Sequence, residues 1–142
     1  MILLDTTVLV YAVGTDHPLR GPCRELIGAI AGGRLSATTT VEVLQEFTHV
    51  RALRRNREDA TRRTRDYLDL LAPLLVVDED DLQDGLRLYA RSDRLGAFDA
   101  VLAAAAARAN AAALVSADVA FGEADITHVV PDADGVAVLL DS

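Results

Sequence analysis

Five carboxylates in this 142-residue chain stand where acids can act together: Asp5, Glu42, Glu46, Asp99 and Asp118. Asp5 directly follows the apolar run Ile2-Leu3-Leu4, and Asp118 lies two residues beyond the run Ala113–Ser116. Glu42 falls in the first turn of the helical segment after Leu35–Thr38, with Glu46 one turn later on the same face. Asp99 opens an Ala-rich helical segment, where the helix dipole favours a carboxylate. Counting Glu42 and Glu46 as alternatives, four acids from four distant segments meet at one sheet edge, the carboxyl ends of the strands where open parallel sheets bind ligands. Two unit charges ~4 Å apart repel by about 4 kcal/mol at an effective dielectric of ~20, so four clustered carboxylates require a cation. All-oxygen ligation suits Mg²⁺ or Mn²⁺ rather than zinc, and Mg²⁺ retains waters that phosphate oxygens can replace. Such an open, acid-lined site activates water and stabilises a leaving oxygen, so the residues point to metal-dependent phosphoryl chemistry.

The elements that must position these acids alternate. Short apolar runs at 2–4, 35–38, 74–77, 113–116 and 128–130 read as strands, the first of the kind buried in parallel sheets. Helical segments lie between them. Asp5-Thr6-Thr7 offers caps for the first, and Pro22 suits the opening turn of the second, which Gly32-Gly33 ends. Thr39-Thr40 begins a helix to about residue 55, and Asn56 caps another that ends near Ala72-Pro73. Two more are expected near 79–92 and 97–112. Strands alternating with helices mean βαβ units: an α/β fold with a central, mostly parallel sheet flanked by helices. The length fits one domain, placed at 1–131, with 132–142 as a C-terminal tail whose structure the sequence leaves open.

Composition removes rival chemistries. The 14 basic residues, all arginine, face 22 acidic ones for a formal charge of -8. Without lysine there is no Walker A loop and no Schiff base to pyridoxal phosphate. The single cysteine, Cys23, forbids an intrachain disulfide and multi-cysteine zinc sites, and reads as a packed thiol. No apolar stretch reaches ~18 uncharged residues, and the N-terminus has no basic region before a cleavage site, so a cytoplasmic protein without a membrane span is expected. There is no Gly-x-Ser-x-Gly elbow of an α/β-hydrolase. With 3 Phe, 3 Tyr and no Trp, base-stacking platforms are not expected.

Each candidate also has a plain structural role. Asp5 can cap the helix it precedes, and Glu42 can close a capping box with Thr39. Glu46 can be a solvated face residue, Asp99 a dipole-stabilising acid and Asp118 an Asx turn. Seven arginines fall between Arg51 and Arg65. Several have i,i+4 acidic partners (Glu58–Arg62, Asp59–Arg63, Arg62–Asp66, Arg65–Asp69), so Arg51, Arg54, Arg55 and Arg57 remain as candidates for contacts to a phosphate backbone. Asp78-Glu79-Asp80-Asp81 reads as a helix start. His17, His49 and His128 share no ligand spacing, and the one Glu-x-x-His, Glu46 to His49, lacks the second copy a di-iron bundle needs. Val8, Leu9, Val10, Tyr11 and Val13 serve either as core or as a dimerisation face.

Four stretches carry a family resemblance: Met1-Ile-Leu-Leu-Asp5-Thr-Thr-Val-Leu-Val10, Val43-Leu-Gln-Glu-Phe47, Phe98-Asp-Ala-Val-Leu-Ala103 and Leu114-Val-Ser-Ala-Asp118-Val-Ala-Phe121. In their order and spacing the chain resembles PIN-domain proteins, specifically VapC-type toxins of bacterial toxin–antitoxin pairs, from Met1 to about Pro131. The resemblance implies a Mg²⁺-dependent endoribonuclease, in which activated water attacks an RNA phosphodiester in line and leaves 5′-phosphate and 3′-hydroxyl ends. It implies Asp5 and Asp99 as principal metal ligands, Asp118 as the fourth acid, Ser116 at a small-hydroxyl position, and Thr6 and Thr7 as supporting polar residues. The second acid is open: Gln45-Glu46-Phe47 matches related sequences better, whereas first-turn geometry favours Glu42, and the balance tips to Glu46. The same resemblance implies a homodimer neutralised by a cognate antitoxin. A housekeeping RNA-processing nuclease of this family and a catalytically silent PIN-like binding module are the alternatives.

Overall fold

Ile2-Leu3-Leu4 presents apolar side chains on both faces, which suits a strand sandwiched between helices. It forms β1 (Ile2–Leu4), fully buried, and pairs in parallel with β2 (Ala37–Thr38) on one side and β3 (Leu114–Val115) on the other. β4 (His128–Val129) completes a four-stranded parallel sheet in the order β2-β1-β3-β4. The chain leaves β1 toward β2 and later crosses back to β3. The reversal of direction therefore falls at the adjoining carboxyl ends of β1 and β3, the usual ligand position in open α/β sheets. The computed structural model describes all 142 residues.

Seven helices surround the sheet: α1 (Thr6–Val13), α2 (Arg20–Ala31), α3 (Val41–Arg54), α4 (Arg57–Leu71), α5 (Glu79–Arg91), α6 (Ala97–Arg108) and α7 (Ala133–Asp141). Their starts follow local chemistry. Thr40 caps α3 through Val43 N–H, Asn56 caps α4 through Asp59 N–H, and Asp78 with Asp81 forms a reciprocal capping box on α5. The acidic run at 78–81 is thus a helix start. Thr39 is not the cap of α3; its hydroxyl donates to the Leu4 carbonyl at 2.8 Å and ties β2 to β1. One core unites the layers, with Leu3, Leu4, Leu114 and Val115 of the sheet packed among Phe47, Leu71, Phe121 and Val136.

Two expectations are corrected, and the tail that the sequence left open takes a definite form. Residues 74–77 do not form a strand: Leu75 alone reaches the sheet, in a single parallel bridge to Thr40, while Val76 is exposed and Asp78 already caps α5. The Ala-rich helix stops at Arg108 rather than 112, because Asn110 takes a left-handed backbone conformation (φ 56°) that ends the helix. Residues 133–141 form α7, which Asp132 caps through Gly135 N–H and which packs on α2 with Val136 and Leu139 buried.

α6 is held close to α5 by a glycine. A Cβ on Gly85 would lie 2.6 Å from the Val101 Cα, so only a residue without a side chain lets the two helices approach this closely. Arg108 adds a 2.9 Å ion pair to Asp80. This packing matters to function because α6 carries Asp99.

Candidate active site

Asp5 is the first residue beyond β1, and its backbone N–H still bonds Val115 O of β3. It is the N-cap of α1 by backbone conformation, yet its carboxylate makes no capping bond and turns elsewhere. Ser116, the first residue beyond β3, is wholly buried and donates its hydroxyl to Asp5 Oδ2 at 2.6 Å. The Ser116 oxygen accepts the Asp118 N–H at 3.0 Å. Thr7 accepts the Ala117 N–H at 2.9 Å, and its hydroxyl lies 3.4 Å from both Asp5 Oδ2 and Ser116 Oγ. Two hydroxyls therefore stitch the carboxyl ends of β1 and β3 together around one buried carboxylate. His128 Nε2, 2.9 Å from Ser116 O, ties β4 into the same corner.

Asp118 caps the short 3-10 segment Val119–Glu123 through Ala120 N–H with one oxygen. Asp99 enters from the first turn of α6. The loop before that helix is fixed by Glu123, whose carboxylate accepts from Ser92 Oγ, Asp93 N–H and Arg94 Nε and is held down to about 2 chiefly by the Ser92 bond and then by Arg94. This link joins the segment carrying Asp118 to the loop that delivers Asp99. The sequence reading missed it, since nothing local relates Ser92 to Glu123.

Asp5, Glu46, Asp99 and Asp118 line one open cavity of about 250 Å³, together with Thr6, Thr7 and Arg54. Asp5 is buried, Asp99 half-buried, and Glu46 and Asp118 stand exposed at the rim. Glu42 lies elsewhere: it borders an apolar hollow between α3, α5 and α6 with Val77, Leu82 and Phe98. Two residues four apart on a helix differ by ~40° in direction and ~6 Å in height, enough to place them on different cavities.

The charges in the cavity crowd one another. Burial pushes Asp99 up to about 7, and the carboxylates of Asp5, Asp118 and Glu46 add to the shift. Burial also raises Asp5, against the pull of the Ser116 hydroxyl, and Glu46 is raised by desolvation and then by the charge on Asp5. A site that resists ionisation in this way is arranged for a positive occupant. No three His, Cys, Asp or Glu side chains converge as a preformed ligand set anywhere in the chain. The all-oxygen donors fit an ion that keeps its own waters and takes one or two carboxylates directly, which is the habit of Mg²⁺. The Thr6 hydroxyl points the same way: it is buried at the cavity, near enough to Glu46 to favour that carboxylate's charged form, and completes no well-formed hydrogen bond. An orphaned buried hydroxyl is satisfied by an ordered water such as a hydrated cation carries.

The arginines divide. Arg51 is buried, with Nε 2.5 Å from Asp59 Oδ2 and Nη1 3.1 Å from Val13 O, so its expected place on an RNA-facing surface is corrected. Asp59, one turn into α4, takes Arg51, Arg62 and more distantly Arg63. An i,i+4 count along one helix cannot find a partner on the next. Arg55 and Arg57 are exposed, Arg57 beside a separate groove between α3 and α4.

Parallel order, a switch point between β1 and β3, and acids gathered at that edge define an α/β domain with one acid-lined cavity at the carboxyl ends of its strands. The family model for the PIN domain matches residues 2–126. The chain belongs to the PIN-domain family. It is 53% identical to Ribonuclease VapC7 of Mycobacterium tuberculosis across 99% of this chain and 98% of that protein. Ribonuclease VapC13 of the same organism is 27% identical over 85% of this chain and 92% of its own length. Among solved structures, the sarcin-ricin loop cleaving toxin VapC20 of M. tuberculosis superposes with a TM-score of 0.75 over 89% of this chain and 97% of its own, at 17% identity. VapBC2 of Rickettsia felis, bound to a DNA fragment from its promoter, gives 0.71 over 92% and 98% at 19% identity, and shares the fold.

Proposed function

We propose that this chain is a toxin endoribonuclease that hydrolyses RNA phosphodiester bonds with Mg²⁺, or Mn²⁺ in its place, and is silenced by a cognate antitoxin. The observation that carries the reading is the gathering of Asp5, Glu46, Asp99 and Asp118 in one open cavity, with Asp99 raised to about 7 by burial and by the other three. Whole-length similarity to a named ribonuclease supports the reaction class. The solved complex of the Rickettsia pair supports an antitoxin partner, and a homodimer is part of the same proposal.

In this reading Asp5, Asp99 and Asp118 would hold the cation, directly or through its waters, with Asp5 kept in one rotamer because Ser116 donates to its Oδ2. Bound there, Mg²⁺ supplies acidification of water and screening of phosphate charge. Thr6 offers its free hydroxyl to the hydration layer, and Thr7 keeps the β1 and β3 ends in register. Glu46, at the exposed rim, receives the proton of the attacking water. Water adds to phosphorus as the bond to the 3′ oxygen breaks, and that oxygen takes up a proton from solvent at the open cavity, leaving a 5′-phosphate and a 3′-hydroxyl. No lysine is needed, and a cytoplasmic setting suits the reduced, buried Cys23.

The test is cleavage of single-stranded RNA by the purified chain, with new ends read by sequencing. Cutting should require Mg²⁺ or Mn²⁺, stop in EDTA and disappear in Asp5→Asn and Asp99→Asn. Cleavage that persists in EDTA overturns the metal reading. Growth arrest on expression that survives Asp5→Asn overturns cleavage as the function and favours a binding module. Failure of any neighbouring gene product to relieve arrest favours a housekeeping nuclease.

A further inference from the structure

The acid cavity has a second wall that the chemistry above does not use. It is made by Val10 and Tyr11 of α1 and by Val50 and Arg54 of α3. Arg54 is the only cation on the cavity. It is exposed and makes no ion pair, although four carboxylates border the same space. Glu46, Val50 and Arg54 follow one another at i, i+4 and i+8, so they form a single stripe rising ~12 Å along α3. Helical side chains lean toward the N-terminus, which aims Arg54 back over Val50 toward the acids without bringing it into contact with them. A guanidinium left unpaired beside an anionic site attracts an anion that arrives with the substrate.

Tyr11 supplies the complement. Its ring is half-buried and stacks on His17 with centroids 4.0 Å apart and planes 10° from parallel. His17 is itself held, because Nδ1 accepts the Leu19 N–H at 3.1 Å. The aromatic pair is therefore fixed before any ligand binds, beside a cavity wall otherwise formed by valines. An ordered aromatic next to an arginine is the pairing that proteins use to seat one nucleotide of a single strand, the ring on the base and the guanidinium on its phosphate.

We propose that Arg54 and Tyr11 form a substrate subsite for the nucleotide adjoining the scissile bond, Arg54 holding its phosphate and Tyr11 its base; the proposal rests on the ribonuclease reading of the acid cavity. It assigns to Tyr11 a role different from packing or dimerisation, and it singles out Arg54 from the other arginines of its cluster.

The test uses binding of a fluorescein-labelled, mixed-sequence 20-nucleotide single-stranded RNA to the Asp5→Asn chain, which leaves the probe uncut, titrated over a range of salt. Arg54→Ala should weaken binding about tenfold at low salt and reduce the slope of log affinity against log salt by ~0.7, the value for one single-strand phosphate contact. Arg54→Lys should keep the slope. Tyr11→Leu should weaken binding about fivefold with the slope unchanged, and Tyr11→Phe should restore it. Arg65→Ala, exposed on α4 and remote from the cavity, serves as the control and should match the parent. The subsite is refuted if Arg54→Ala leaves both affinity and slope unchanged, or if Arg65→Ala weakens binding equally. Tyr11→Phe behaving like Tyr11→Leu refutes the stacking role, with melting curves confirming that both variants fold. If the native chain cuts RNA while Arg54→Ala binds normally, only the subsite falls. If the parent neither binds nor cuts RNA, the ribonuclease reading falls and takes the subsite with it.

Discussion

Asp99→Asn removes the carboxylate that burial, and then its acidic neighbours, raise most, while keeping its shape. In the metal-free protein Asp99 gives up its proton near pH 7, whereas the unfolded chain releases it near 3.8. Between those values the folded state binds more protons, so stability falls as pH rises through the window. Asp5 and Glu46, both raised, act in the same sense. Asp59, Asp78 and Glu123, held below their ordinary values, act oppositely but only in acid, below about pH 4.5. At about 1.36 kcal/mol per pH unit, lifting Asp99 from 3.8 to about 7 sets a ceiling near 4 kcal/mol. Water in the open, half-buried site screens the charges and leaves about 2 kcal/mol. For a domain of this length that corresponds to roughly 6 °C in Tm. Thermal unfolding in EDTA should therefore show the native chain gaining stability on acidification from about pH 7.5 to about pH 5.5. Asp99→Asn should melt about 6 °C higher than the native chain near neutral pH and lose most of this pH dependence. Added Mg²⁺ should raise the Tm of the native chain and leave that of Asp99→Asn almost unchanged. A native chain that loses stability across this acidification, or an asparagine variant that melts lower at neutral pH, would refute the crowding argument.

Glu46→Gln should depress the rate of RNA cleavage by about 100-fold or more, within the range for a group that moves a proton in the transition state. Glu42→Gln, on the separate apolar hollow, should leave the rate within about threefold, and a normal rate for Glu46→Gln would move the second acid elsewhere. Arg51→Ala removes the one buried partner of Asp59, leaving it only the more exposed Arg62 and Arg63, and frees Val13 O, so its melting temperature should drop by several degrees, further than that of Arg62→Ala. Gly85→Ala forces a methyl to within 2.6 Å of the Val101 backbone and should destabilise the fold by about 1–3 kcal/mol. Because α6 carries Asp99, the same change should lower kcat beyond what partial unfolding explains, measured on the soluble folded fraction.

Much of the site is legible from strand ends and helix starts. Asp5, Asp99 and Asp118 could be placed at one edge because each follows or opens an element whose own residues mark it: an apolar run, an Ala-rich helix, an Asx cap. Glu46 could not be separated from Glu42, since both occupy one face of α3 and only the seating of that helix against α1 and α4 sends them to different cavities. Arg51 looked free for the same kind of reason. Its partner Asp59 sits on the next helix, and the i,i+4 rule sees only within one.

Taken alone, the sequence determined the α/β class, the parallel alternation and the acids at the strand ends, because apolar runs, caps and carboxylates act over a few residues. It also excluded lysine- and disulfide-dependent alternatives, which no folding can restore. Tertiary structure decided what depends on distance across the chain. Ser116 meets Asp5 over 111 residues. The Glu123 link fixes the loop before α6, and Leu75 touches the sheet at one bridge only. Tyr11 comes to face the cavity beside Arg54. Those outcomes follow from packing several elements at once, and packing is a property of the whole core that no local pattern encodes.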